Sequence, residues 1–188
     1  MKFKTFIFVM LLLTTTLCFG QKQIRNANWG WNKDSVKKSE TLKLLSETKD
    51  HLIYSGTLAN CKFAISYKFI KNKLTGVVYI YSETHVNQNN YISTYENLKD
   101  ILTKKYDTTV TDEIIWKNDL YKDNKDDWGL ACSEGDVVFK STWTNKYMDI
   151  TLVCAGENFN ISLGIVYTSK EFSTLITKEN EDQNDKDF

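Results

Sequence analysis

Residues 137–167 have the sequence VVFKSTWTNKYMDITLVCAGENFNISLGIVY. Within this stretch, apolar residues recur at every second position of three segments, which are separated by polar turns at 144–146 and 156–158. Period-two alternation is typical of a strand with one buried and one solvated face. Turns at such regular spacing predict an antiparallel sheet. The predicted inward residues are Val137, Phe139, Ser141, Trp143, Met148, Ile150, Leu152, Cys154, Phe159, Ile161, Leu163, Ile165 and Tyr167.

The same alternation extends the sheet on both sides of this stretch. Trp128, Leu130 and Cys132 alternate before the turn at Glu134 and Gly135, which predicts a further strand at the start of the meander. Strands are also predicted at residues 52–58, 61–69, 74–81 and 111–116, several of them rich in the β-branched and aromatic residues that strands favour.

Two helices are predicted ahead of these strand groups. Tyr91, Tyr95, Leu98, Leu102 and Tyr106 recur at spacings of four, three, four and four, which is one face of a helix. Upstream, Asn32 is a suitable N-cap for a helix at 33–42, and a short helix is predicted at 171–177. The fold class is therefore α+β, an antiparallel sheet with helices on one face, and the helix-then-strands order occurs twice, at 32–81 and at 91–167.

The N-terminus has the pattern of a signal peptide. Two lysines precede a short apolar run from Phe6 to Leu13, and small residues surround Gly20. The run is too short to span a membrane, and no later stretch is long enough. We expect cleavage after Gly20 and a secreted or periplasmic protein. The alternatives are a retained N-terminal anchor and lipid attachment at Cys18.

The rest of the chain suits one domain, predicted at residues 21–177. The 168 residues that follow Gly20 can bury a core without a metal or a disulfide. The segment 178–188 holds five acids and two lysines, and it is predicted to be a disordered tail. The 24 basic and 24 acidic residues of the whole chain balance. Nucleic acid is therefore not an expected partner, because binding it needs a basic surface.

No motif for catalysis, metal or nucleotide binding is evident, so no cofactor is predicted and the assignment as an enzyme stays open, with a preference against it. His51 and His85 lack ligands at metal spacing. The acidic segment 119–127 does not have the spacing of a calcium-binding loop, which favours a solvated loop over a calcium site. There is no Gly-x-Ser-x-Gly motif, although a serine triad that assembles only in the fold stays possible.

Three cysteines follow the expected cleavage point, an odd number that leaves at least one free thiol. If residues 128–167 form a regular meander, Cys132 and Cys154 lie two strands apart. Two strand spacings amount to about 9.6 Å, beyond the roughly 7 Å that a disulfide permits between Cα atoms. This spacing argues against that bond, and pairing of Cys61 with either residue stays open.

Residues 30–36 resemble the helix-opening pattern Gly-x-(Ser/Thr)-x-x-x-Val of small exported bacterial domains of the BamE and β-lactamase-inhibitor-like type, here Gly30, Asn32 and Val36. That resemblance implies helices packed on one face of an antiparallel sheet and a protein that acts by contact. We therefore expect a non-enzymatic binding module of the bacterial envelope or exterior, with an envelope protein or glycan as partner. A secreted hydrolase and a structural or assembly protein are the alternatives.

Two groups of residues are candidates for binding. Trp29 and Trp31 flank a glycine outside regular structure, and one of them is expected to be exposed, where an indole can anchor a partner. The second group is the sheet face away from the helices, because a single helical layer covers only one face. The residues assigned to that free face are Val77, Tyr79, Tyr81, Val138, Val153 and Val166. Burial of both faces by a second layer is the alternative.

Overall fold

The structure is a computed structural model, and it describes residues 23–106 and 110–184. The predicted signal peptide at residues 1–20, including Cys18, lies outside these residues. The described chain forms an α+β fold with an eight-stranded antiparallel sheet and a separate two-stranded ribbon. In chain order the strands are β1 (Gln23–Ile24), β2 (Ala27–Asn28), β3 (Lys43–Glu47), β4 (His51–Leu58), β5 (Cys61–Ile70), β6 (Lys73–Tyr81), β7 (Val110–Trp116), β8 (Val137–Thr144), β9 (Met148–Glu157) and β10 (Asn160–Ser169).

The large sheet has the strand order β3-β4-β5-β6-β10-β9-β8-β7. Each half of the chain contributes a four-stranded meander, and the two meanders meet where β10 pairs with β6. Each meander follows a helix, α1 (Lys33–Ser39) in the first half and α2 (Asn89–Tyr106) in the second. The order of elements therefore repeats as the helix-then-strands pattern suggested, and one sheet joins the two halves.

One face of this sheet carries the core. The register places Phe139, Cys154 and Leu163 side by side on neighbouring strands, and all three are buried. Helix α1 contributes Val36 to this core, and α2 contributes its stripe of Tyr95, Leu98, Leu102 and Tyr106. The predicted alternation in β8–β10 is confirmed from Val137 to Cys154 and from Leu163 to Tyr167, while Phe159 lies exposed in the β9–β10 turn.

Three elements differ from prediction. The segment expected to be the first strand of the meander is a helix, α3 (Trp128–Glu134), inserted between β7 and β8. It ends at Gly135, whose φ of 89° and backbone N–H contacts to Ala131 and Cys132 form a left-handed C-cap. The edge strand β3 was not predicted. The C-terminal helix α4 (Ser173–Asn184) continues through most of the segment predicted to be disordered.

The predicted cap of α1 is present. Asn32 Oδ1 accepts a hydrogen bond of 2.9 Å from the backbone N–H of Ser35, which satisfies one of the free amides of the first turn. The helix ends at Ser39, three residues earlier than predicted. Its early end frees Glu40, which turns into the core beside Arg25.

Candidate binding surface

The second face of the large sheet is formed by the alternate residues of the same strands. Its central row crosses seven strands, and each member is paired with the next in the strand register. We call this side of the sheet the open face, because the buried residues of helices α1, α2 and α3 belong to the core on the other side. The fourth helix, α4, contacts β5, and at the end of β5 Ile70 is only 3% exposed. The central row consists of Ile53, Ser66, Val78, Val166, Thr151, Thr142 and Thr111.

The open face is apolar for a surface sheet. Ile80 and Ile115 are 50% and 45% exposed, and both are unusually accessible for isoleucine. Around them lie half-buried aliphatic side chains from six strands, which are Ile53, Ala64, Val78, Val138, Val153, Ala155 and Val166. Scattered single apolar residues are normal on a surface, but a contiguous set indicates a contact site.

The charges on the open face are unevenly distributed. In strands β3 to β6 the charged residues on this face are Lys43, Lys62, Lys68 and Lys73, and no ion pair engages them among residues 23–106 and 110–184. In the other half of the sheet, Lys140 pairs with Glu113 at 3.6 Å. The strands of the first half therefore carry only basic charges on this face, with the Glu83 carboxylate next to Lys62, where it accepts the Lys62 backbone N–H at 2.8 Å, whereas the second half is nearly neutral.

The candidate residues of β6 lie on the covered face, so their predicted exposure is wrong. Val77 is fully buried, Tyr79 is 5% exposed and Tyr81 is 9% exposed. In β6, apolar residues occur both at the positions that face the helices and at the alternate positions. The alternation of residue types therefore does not show which positions are buried. A β-bulge near Thr75 also shifts the register against β5, since Lys68 pairs with Gly76 but Phe69 pairs with Leu74.

The candidates of the second half lie where they were expected. Val138, Val153 and Val166 are half-buried residues of the open face. Val153 pairs with Gly164, which pairs in turn with Ile80 and has no room for a Cβ atom, because that atom would lie 2.8 Å from the Tyr79 carbonyl oxygen. The exposed Ile80, which the sequence pattern did not single out, is the most accessible member of the patch.

The tryptophan pair is part of the fold. Trp29 is 5% exposed and Trp31 is half-buried against the core. Gly30 between them has a φ of 81° and donates its N–H to the Leu74 carbonyl at 2.9 Å, while Leu74 donates to the Trp31 carbonyl at 2.8 Å. These bonds fasten the segment to the start of β6, so neither indole stands free on the surface.

A buried ion pair lies on the covered face. Arg25 donates to both carboxylate oxygens of Glu40, at 3.0 and 3.3 Å, and the Tyr67 hydroxyl donates to Glu40 at 2.6 Å. The Glu40 side chain is only 1% exposed. Burial opposes its charged form, but hydrogen bonds from Tyr67 and Arg25 outweigh burial and hold its pKa below the usual range. Because each carboxylate oxygen is hydrogen-bonded, we interpret this group as structural.

Two histidine contacts bear on the hydrolase alternative. His51 Nδ1 lies 3.0 Å from Ser66 Oγ on the open face, and His85 Nε2 lies 2.6 Å from the Tyr81 hydroxyl. A serine nucleophile needs a base that an acid orients, and an oxyanion-binding site. No carboxylate contacts either imidazole in the part of the chain that the structure describes, and Ser66 itself is 7% exposed.

Among the described residues, no group of three or more His, Cys, Asp or Glu side chains is placed to hold a metal ion. A groove of about 650 Å³ beside α1 and α4 is lined by three lysines and three acids, and such a mixture favours no particular charge of ligand. None of the described helices combines the length and apolar character needed to cross a membrane. No family model matches the chain, and neither a curated protein nor a solved structure is significantly similar to it.

Proposed function

We propose that this chain is an exported, non-enzymatic binding protein that holds a protein partner on the open face of its sheet. The observation that carries the proposal is the contiguous, uncovered aliphatic patch around Ile80 and Val153. Export is inferred from the signal-like N-terminus, and the relationship to BamE and β-lactamase-inhibitor-like domains stays a prediction.

The dimensions of the open face suit a protein partner. Eight strands at about 4.8 Å spacing make a surface about 34 Å wide, and five residues per strand extend it about 17 Å. The product is roughly 600 Å², close to the roughly 800 Å² that each partner buries in a standard protein interface. A glycan, which the sequence also allowed, usually stacks on Trp or Tyr rings, and the described open-face residues of β4 to β10 include no Phe, Tyr or Trp.

The charges favour one kind of partner surface. The lysines of the first half, with Lys62 beside the patch, would meet acidic side chains, and Ile80 with its aliphatic neighbours would meet an apolar group. Charge complementarity of this type speeds association and selects partners, while buried apolar anchors supply most of the affinity. We therefore infer a folded protein that presents an apolar side chain surrounded by carboxylates.

The test begins with a photo-crosslinking amino acid at position 80, and a control with the same group at Leu120, which is 72% exposed on a loop away from the sheet. The protein crosslinked only through position 80 is identified by mass spectrometry, purified and titrated against the wild-type chain. We expect Ile80→Glu to raise Kd by about 30-fold or more, as for an anchor residue. Lys62→Glu should raise it less and reduce its salt dependence, and Leu120→Glu should leave it unchanged.

Three outcomes would contradict the proposal. The first is equal crosslinking from positions 80 and 120, and the second is a Kd that Ile80→Glu does not change. The third is crosslinking only to a second copy of this chain, which would make the open face a homodimer interface. Hydrolysis of an activated ester that Ser66→Ala abolishes would instead support the hydrolase alternative.

A further inference from the structure

Two thiols lie next to each other inside the covered face. The Sγ atoms of Cys132, in α3, and Cys154, in β9, are 3.9 Å apart although the residues are 22 positions apart in the chain. Both residues are fully buried. The spacing predicted from a regular meander does not apply, because Cys132 lies in a helix that crosses over β9 and not in a strand two positions away.

Backbone contacts hold the two elements against each other. Gly156 lies where a Cβ atom would collide with the carbonyl oxygen of Cys132, so only glycine permits this close approach of the two backbones. Beyond it, the backbone N–H of Phe159 donates to the Ser133 carbonyl at 2.9 Å. The proximity of the thiols is therefore built into the packing of α3 on the β9–β10 hairpin.

We propose that Cys132 and Cys154 are oxidised to an intramolecular disulfide that fastens α3 to the sheet. A disulfide has a sulfur–sulfur length of about 2.05 Å, so the two sulfurs approach by roughly 1.9 Å when the bond forms. Cys61 is the remaining cysteine of the described residues. It lies partly exposed on β5 with its thiol directed to the Ala59 carbonyl at 3.6 Å.

The oxidant is a low-molecular-weight disulfide such as oxidised glutathione. The thiolate of Cys132 attacks one glutathione sulfur, forms a mixed disulfide and displaces one glutathione thiolate. The thiolate of Cys154 then attacks the Cys132 sulfur and displaces the second glutathione. Two protons leave the cysteine thiols, two electrons reduce the glutathione disulfide, and one protein disulfide forms.

The burial of the two thiols determines whether the disulfide forms before or after the chain has folded. Contact with Cys132 and burial raise the pKa of the Cys154 thiol, and the thiolate is the reactive form. Exchange in the folded, reduced chain is therefore slow, and the bond forms while the chain folds. Such bonds persist outside the reducing cytosol, in agreement with the proposed export, although the test below does not depend on it.

The test refolds the reduced chain of residues 21–188, which contains Cys61, Cys132 and Cys154 but not Cys18, from urea in a mixture of reduced and oxidised glutathione. Free thiols are then alkylated under denaturing conditions, and the chain is digested with trypsin, which cleaves at Lys140 and Lys146 between the two cysteines. We expect the peptides of Cys132 and Cys154 to be linked and the peptide of Cys61 to be alkylated. Alkylation of all three, or a link that involves Cys61, would overturn the proposal.

Variants provide the matched control. Cys61→Ser should retain the link, and reduction of this variant should lower the midpoint of thermal unfolding by roughly 5–10 °C, the shift expected for a loop of this length. In Cys154→Ser, reduction should cause no shift. If Cys154→Ser does not fold, the peptide maps of the wild-type chain and of Cys61→Ser still show whether Cys132 and Cys154 are linked. An equal shift in Cys154→Ser would count against the bond.

Discussion

The two faces of the eight-stranded sheet are built from alternate residues of the same strands, yet they differ in what lies against them. On β8, Trp143 is 1% exposed beneath the helical layer, whereas its neighbour Thr142 belongs to the open face. On β6, Tyr79 is 5% exposed and Ile80 is 50% exposed. A single step along the chain therefore changes a residue from core to surface, so substitutions at neighbouring positions probe the two faces separately.

Buried polar groups are concentrated on the covered face. Tyr95 and Ser141 are within hydrogen-bonding distance at 2.5 Å, and Ser141 donates to Asp112 at 2.7 Å. Arg25 and Glu40 form a second such group. Because a buried polar group is costly unless it is paired, these contacts specify how the helices sit on the sheet. We expect substitutions on the two faces to have separable effects.

The largest expected effect comes from Trp143→Ala. Removing this buried indole should lower the free energy of unfolding by about 3–5 kcal/mol, because the variant buries less apolar surface and contains a cavity where the ring was. Thr142→Ala on the same strand is the matched control and should change it by no more than about 0.5 kcal/mol. Urea unfolding with equal m-values measures both. Comparable losses in the two variants would mean that the faces are not distinct.

A smaller effect, dependent on pH, is expected at the buried ion pair. Glu40→Gln should cost roughly 2–3 kcal/mol near neutral pH, because Arg25 loses its charged partner. The pKa of Glu40 is lower in the folded chain than its ordinary value of 4.5. Its charge therefore stabilises the fold fully above that value, and this contribution is lost as the pH falls through the lower, folded pKa.

The measurement is the difference in unfolding free energy between wild type and Glu40→Gln, from pH 7 down to pH 3. This difference should shrink as the pH falls below about 4.5. Glu47→Gln is the control, since Glu47 pairs with Lys33 and Lys37 on the exposed side of the molecule. Its effect should be much smaller and reduced by salt. A difference for Glu40→Gln that is constant with pH would contradict the assignment.

Much of the fold was predictable because local chemistry and global packing agree there. The strands β8 to β10 combine alternation with polar turns, and the stripe of α2 buries against them. Helix α3 could not be predicted from the spacing of its apolar residues. Trp128, Leu130 and Cys132 fit a two-residue period over too short a stretch to separate strand from helix. What decides for the helix is its C-cap at Gly135 and its packing on β9.

The candidate surface was predictable in kind but not in all its residues. An antiparallel sheet with one helical layer leaves a face uncovered, and alternation in β8–β10 assigned Val138, Val153 and Val166 to it. In β6 the residues of both faces are apolar, and the bulge at Thr75 shifts the register of β6 against β5. The sequence therefore carried no sign of whether Tyr79 or Ile80 faces the helices, and only the pairing with β5 and β10 resolves it.

The smallest expected effect on stability is at Ile80, where a substitution tests whether the two faces of the sheet differ in burial. Ile80→Thr keeps a β-branched side chain suited to a strand and removes apolar surface that is already half exposed. We expect the free energy of unfolding to change by no more than about 0.5 kcal/mol. Tyr79→Ala, one residue away, should cost at least about 2 kcal/mol, because that ring packs against Phe63 and Tyr167. Urea midpoints at equal m-values report both changes. A loss for Ile80→Thr as large as that for Tyr79→Ala would show that Ile80 is covered within the chain, and the open face would then be no surface for a partner.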